Sequence, residues 1–142
     1  MTPWRSAVGV WVCACLLAAG CAEPGSAARI RARLLERSDV PAAGGEDPYF
    51  RSLFACRYEV LEVLDGSLGP DEIVVMHWAV VRNTPTDAVQ ARVGGVRELT
   101  VEPWSRHRDL HVEPLSITLD DNAYALPWYY DAGAPEAPKA DR

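Results

Sequence analysis

The sequence predicts a small, mainly β domain with little helix, arranged as a barrel or sandwich of about five strands. The 11 prolines and 10 glycines interrupt every stretch that has the spacing of a helix. The densest apolar block, YEVLEVLDGSLGPDEIVVMHWAVV at residues 58–81, has the pattern of two strands joined by a polar turn. A chain of 142 residues has the size of one domain.

The first strand is predicted at residues 29–37, RIRARLLER, where apolar side chains alternate with arginines. A period of two places the arginines on one face, so we expect a half-buried strand whose other face is solvated. Charges on such a face discourage edge-to-edge aggregation. Residues 38–48 have the composition of a loop.

The second and third strands are predicted at residues 54–64 and 72–81. The alternation of the second strand breaks once after Val60, as it does at a β-bulge. Gly66, Gly69 and Pro70 make the intervening residues a turn. Because the third strand is apolar on both faces, we expect it to be covered on both sides, in the middle of the domain.

The remaining chain supplies two further strands. Residues 96–102, VRELTVE, alternate as a fourth strand, and LSITL at 115–119 is the candidate fifth strand. The aromatic segment YALPWYY at 124–130 is expected to pack back onto the domain. The core side chains expected from the fourth strand are Val96, Leu99 and Val101.

The N-terminus has the pattern of a targeting segment. Arg5 precedes the uncharged residues 7–20, a run shorter than the roughly 20 residues that span a bilayer. The run ends in Ala18-Ala19-Gly20-Cys21, which resembles the lipobox of bacterial lipoproteins. An ordinary cleaved signal peptide is the alternative.

The resemblance implies that Cys21 is lipidated and anchors the protein on the periplasmic face of the inner or outer membrane of a bacterial cell envelope. The expected organisation is a signal peptide at 1–20, a tether at 21–28, a β domain at 29–131 and a disordered tail at 132–142.

A second resemblance involves Tyr-Glu-Val-x-x-Val-x-x-Gly at residues 58–66 and Ile-Val-Val-x-His-Trp at residues 73–78. This order is similar to β-rich modules of bacterial envelope proteins, some of which accompany SGNH-type acetyltransferases related to alginate O-acetylation. It is also loosely similar to OB-like netrin domains, although the cysteine framework of that family is absent here. The resemblance implies an association with cell-surface polysaccharide acetylation and assigns no catalytic residue.

The sequence contains no signature of catalysis. The net charge of −6 disfavours a nucleic-acid partner. There is no Gly-x-Ser-x-Gly motif and no Gly-Asp-Ser block, so we expect no enzyme activity and no cofactor. His77, His107 and His111 are weak candidates for a metal site, and a metal-binding or enzymatic domain that uses them is the alternative function.

Aromatic side chains are the better indication of function. Trp104, Trp128 and Tyr129, together with His77, are candidate residues for binding a carbohydrate or peptide. Cys56, the only cysteine after Cys21, is predicted to be a small buried apolar residue. The sequence therefore predicts a non-enzymatic binding or scaffolding module whose partner is a polysaccharide or another envelope protein. A purely structural lipoprotein is a further alternative.

Overall fold

The computed structural model describes residues 25–40 and 51–133. The predicted signal peptide, the lipidation site at Cys21 and the first half of the tether lie outside the described residues, as does the tail from residue 134. Most of the predicted loop at 38–48 also lies outside them.

Seven strands and four short 3₁₀ helices make up the described part of the chain. The strands are β1 (Ala28–Arg37), β2 (Arg51–Asp65), β3 (Glu72–Val81), β4 (Thr84–Pro85), β5 (Val96–Pro103), β6 (Leu115–Ser116) and β7 (Trp128–Asp131). The 3₁₀ helices are Asp87–Gln90, Trp104–Arg106, Arg108–Val112 and Asp121–Ala125. Among the described residues, we find no helix with the length and apolar character needed to cross a membrane.

Five of the strands pair into a closed ring. β1 pairs with β2, β2 with β3, β3 with β7, β7 with β5, and β5 returns to β1. Every pairing within the ring is antiparallel except that between β3 and β7, which is parallel. The predicted small, mainly β domain of five main strands is therefore confirmed, and its ring order is compatible with the OB-like arrangement.

The predicted irregularity in β2 is present. Arg31 pairs with Glu62 while the next residue, Ala32, pairs with Val60, so Leu61 is an extra residue on β2. A bulge bends a strand and increases its twist, which helps a short sheet to curl into a ring.

β3 is the most buried strand, and the prediction that it is covered on both faces is correct. Each residue from Ile73 to Val80 is buried. Ile73 and Val75 contribute to the core inside the ring. Val74 and Met76 face the opposite way and pack in a second core that includes residues of the segment between β5 and β7.

Two predictions about the later strands are wrong. The fifth strand of the ring is β7 rather than residues 115–119, of which only Leu115 and Ser116 pair, with one edge of β2. β7 takes this position because its backbone pairs with both β3 and β5. Val96 lies at the start of β5 and is 51% exposed, whereas Leu99 and Val101 are buried as expected.

The arginines of β1 occupy a solvated face, as predicted. Arg31 forms ion pairs with Glu62 on β2 and Glu98 on β5, and Arg33 forms one with Glu59. Such exposed pairs contribute about 0–1 kcal/mol each, so they add little to the stability of the domain.

Candidate functional site

A cleft lies beside the part of β3 that extends beyond its pairing with β7. β7 pairs with β3 only at Val74, Val75 and Met76, and the short strand β4 pairs with Val80 and Val81. The cleft has a volume of about 680 Å³, which is typical of small-molecule sites. Its lining includes Trp78, Arg82, Thr86, Arg97, Thr100 and Asp131.

The segment after β4 forms one wall of the cleft. The backbone N–H of Thr86 donates to the carbonyl of Ala79, and its hydroxyl donates to the carbonyl of Trp78. These bonds satisfy β3 backbone groups that β7 does not reach. Ala88, in the 3₁₀ helix that follows, is buried against the ring core.

A chain of buried polar side chains runs from the cleft into the ring. His77 Nδ1 lies 3.0 Å from Oδ2 of Asp131, and its Nε2 lies 3.0 Å from the hydroxyl of Tyr58. The three residues come from β3, β7 and β2, which are consecutive in the ring. His77 is 1% exposed and Tyr58 is fully buried, so Asp131 is the member that lines the cleft.

The donors and acceptors of this chain are assigned from its hydrogen-bond geometry. A carboxylate accepts, so Nδ1 of His77 carries the proton and donates to Asp131. Nε2 then accepts from the hydroxyl of Tyr58, whose pKa is raised by burial and, to a smaller degree, by the nearby Cys56 and Asp131. The backbone N–H of Gly133 donates to the other oxygen of Asp131. Both ring nitrogens of His77 are therefore occupied within the protein.

Arg97 borders both the cleft and the ring interior. Arg97 is two residues before the buried Leu99 and four before the buried Val101 on β5. Its side chain therefore lies on the same, inner face of the strand. Its positive charge lowers the pKa of Tyr58 and of Cys56, although burial outweighs it at both residues. Burial raises the pKa of the Cys56 thiol to about 12.

The cleft contains charges of both signs. Arg29, Arg82 and Arg97 line it, and none of them forms an ion pair with a carboxylate in the described part of the chain. Among the acidic lining residues, Glu98 is paired with Arg31 and Asp131 is bonded to His77. The arginines are therefore the charged lining residues with the most hydrogen-bond donors still available to a ligand.

The predicted binding aromatics do not line this cleft. Trp104 and Trp128 pack against the second core, outside the ring, whereas Tyr129 packs against the core inside it. His77 is buried and its ring contacts Phe54 and Tyr58, which belong to the core inside the ring. Trp78 is buried and also forms part of the cleft wall. Binding by the four predicted residues stays a prediction.

The three histidines have separate partners. His107 lies 2.9 Å from a carboxylate oxygen of Glu102 and packs against the ring of Tyr130. His111 stacks on Trp104, with ring centroids 4.6 Å apart. Across residues 25–40 and 51–133, no three histidine, cysteine or acidic side chains form a group that could hold a metal ion.

Sequence reasoning did not identify Tyr58, Arg97 or Asp131 as site residues. A signal for Arg97 exists, because strict alternation in VRELTV places it on the same face as the core residues Leu99 and Val101. An arginine at an inward position of a strand is rare unless it has a partner. No comparable signal marks Asp131, which follows the aromatic run and reaches His77 only through the parallel pairing of β3 with β7.

Comparison of the chain with protein-family models, with curated proteins and with solved structures found no match.

Proposed function

We propose that this protein is a lipid-anchored module of the bacterial cell envelope that binds its ligand, without catalysis, in the cleft between β3 and β5. The observation that carries the proposal is the cleft itself, which has a volume of about 680 Å³ and hydrogen-bonding groups on several walls. The lipobox-like residues ending at Cys21 support the anchor and the periplasmic location.

The proposed ligand is a segment of cell-surface polysaccharide. The cleft offers guanidinium donors, carboxylate acceptors and the hydroxyls of Thr84, Thr86 and Thr100, a mixture that suits the many hydroxyls of a sugar. The resemblance to modules that accompany polysaccharide O-acetylation supports the same class of ligand. In this proposal the protein holds or presents the polysaccharide, and a separate enzyme modifies it.

The binding proposal is tested by blocking the mouth of the cleft. The protein from residue 21 onward, with Cys21→Ser, is passed over immobilised cell-surface polysaccharide. Thr84→Tyr places a large side chain at the exposed cleft rim, and Ser67→Tyr makes the same kind of change in the exposed β2–β3 turn. We expect retention of the parent protein and of Ser67→Tyr, and loss of retention for Thr84→Tyr. Equal behaviour of the two tyrosine variants, or no retention of the parent, would contradict the proposal and favour a purely structural lipoprotein.

The anchor is tested separately in cells. A lipid on Cys21 makes the protein sediment with membranes, because several acyl chains hold a protein firmly. Cys21→Ser removes the lipid attachment point, so we expect the full-length variant to appear in the soluble periplasmic fraction. A variant that still sediments with membranes would rule out anchoring through Cys21.

The alternative function is a metal-binding or enzymatic domain that uses His77, His107 and His111. The separate partners of the three side chains give it less support than the cleft gives to binding. Metal content of the purified protein discriminates between the two. Stoichiometric zinc or copper that is lost in His107→Ala would favour the alternative.

A further inference from the structure

Arg97 is the cleft arginine that reaches the ring interior. It is half-buried on the inner side of β5, yet no carboxylate of the described residues lies within ion-pair distance of it. Its guanidinium interacts with neutral groups instead: it hydrogen-bonds to the hydroxyl of Tyr58, and its charge also acts on the thiol of Cys56. A guanidinium removed from water is normally balanced by an anion, because partial burial costs solvation energy that a neutral partner restores poorly.

The surroundings of Arg97 leave room for that anion. Arg97 lines the cleft of about 680 Å³ and also a neighbouring cavity of about 290 Å³ that extends to Leu34 and Gly95. Arg29 and Arg82 lie on the same cleft, and they likewise have no carboxylate partner among the described residues. An anion held by Arg97 would therefore lie within the field of two more guanidinium groups.

We infer that Arg97 is the anchor of an anion subsite within the cleft, and that the ligand of this protein carries a carboxylate, as an acidic sugar does. The inference rests on the proposed binding of polysaccharide in the cleft and specifies the chemistry of the sugar. The guanidinium donates two parallel N–H bonds to the two oxygens of the carboxylate, a geometry that arginine provides and lysine does not.

The acidic residues of the cleft favour an acidic sugar over inorganic phosphate. Asp131 and Asp87 also line the cleft, and each repels an incoming anion. The same acidic side chains accept hydrogen bonds from the sugar hydroxyls beside the carboxylate, which a simple inorganic anion lacks.

The experiment compares two sugars that differ only in the carboxylate. A trimer of galacturonic acid and the same trimer with its carboxylates reduced to alcohols are titrated calorimetrically into the soluble Cys21→Ser protein, and inorganic phosphate is the third probe. We expect the acidic trimer to bind most tightly, and Arg97→Gln to weaken it about tenfold or more. Arg97→Lys should also weaken it, because the charge remains and the paired geometry is lost. Arg108→Gln, a change at an exposed arginine away from the cleft, is the matched control and should leave the affinity unchanged.

The outcomes separate this inference from the proposed function. Equal binding of both trimers, unaffected by Arg97→Gln, overturns the anion subsite and leaves sugar binding intact. Phosphate that binds more tightly than the acidic trimer overturns the assignment of a carboxylate. Absence of binding by all three probes, with the parent protein folded by circular dichroism, overturns the subsite for acidic sugars of this type, and the polysaccharide column then decides the broader proposal. Arg82→Gln, at the exposed rim, provides a second test if Arg97→Gln does not fold, and we expect it to weaken the acidic trimer selectively.

Discussion

His77 donates a hydrogen bond through Nδ1 to Oδ2 of Asp131 across 3.0 Å, inside a ring of strands whose core is otherwise largely apolar. Tyr58 completes the chain at Nε2. Because every member has its partner, this polar chain is compatible with burial, and it connects the wall of the cleft with the centre of the domain.

Removal of the Tyr58 hydroxyl should destabilise the domain. Tyr58→Phe leaves Nε2 of His77 as a buried acceptor without a donor, and we expect a loss of about 1–3 kcal/mol in the free energy of unfolding. Urea denaturation followed by fluorescence measures it. Tyr124→Phe is the control, since Tyr124 is 52% exposed and water can replace its bond to the carbonyl of Ile117. Equal stability of the two variants would mean that the buried bond contributes nothing.

Gly66 is required by the turn between β2 and β3. Its φ is 78°, and a Cβ there would lie 2.8 Å from the carbonyl oxygen of Ala27. Gly66→Ala should therefore cost more than the about 1–2 kcal/mol of the left-handed conformation alone. Gly94→Ala, with φ of 87° and open space, should show the conformational cost only.

Gly69 in the same turn provides the matched control for Gly66. It has an ordinary φ, and a Cβ added there would meet nothing within 4 Å, so Gly69→Ala should stay within about 0.5 kcal/mol of the parent. Thermal unfolding of the three variants checks the order. A Gly66→Ala protein as stable as Gly69→Ala would contradict the close approach to Ala27.

Both faces of β3 should respond to truncation. Ile73→Ala opens a cavity inside the ring and Met76→Ala opens one in the second core, and each should cost about 2–5 kcal/mol. Leu61→Ala, at the bulge of β2, changes a side chain that is 40% exposed and should cost far less. Denaturant midpoints measure all three. A small effect of Met76→Ala alone would indicate that the outer layer is loosely packed on the ring.

Cys56 should be unreactive in the folded protein and should contribute to an alkaline loss of stability. Burial raises its pKa from 9.0 to about 12, so almost no thiolate exists at about pH 8 and iodoacetamide should react only after unfolding. The raised pKa favours the folded state fully below about pH 9, and that contribution is lost as the pH rises towards 12. Burial raises the pKa of Tyr58 as well, so its contribution to stability is also lost as the pH rises.

The alkaline contribution of the thiol is measured with Cys56→Ala. Its free energy of unfolding should fall less steeply with pH than that of the parent, with the remaining slope due to Tyr58 and other groups. Rapid alkylation of the native parent protein at about pH 8, without unfolding, would contradict the burial of the thiol.

The local pattern of the sequence was sufficient to predict the strand content and the central position of β3. Alternation and two-sided apolar character depend on neighbouring residues alone, so they are readable without the fold. The turn at Gly66 and the bulge after Val60 were predicted on the same basis. The position of the fifth strand was not, because it depends on which segment can pair with both β3 and β5 after a long connection.

The candidate site was decided by the tertiary structure. Tyr58, His77 and Asp131 are separated by many residues in the chain and meet because their strands are neighbours in the ring. Arg97 becomes a candidate ligand-binding residue only because the separation of β3 from β7 leaves a cleft beside it. By itself the sequence determined a mainly β domain with a buried central strand, because burial follows local hydrophobic pattern. The cleft and its charges arise from non-local strand pairing, which no short stretch of the chain encodes.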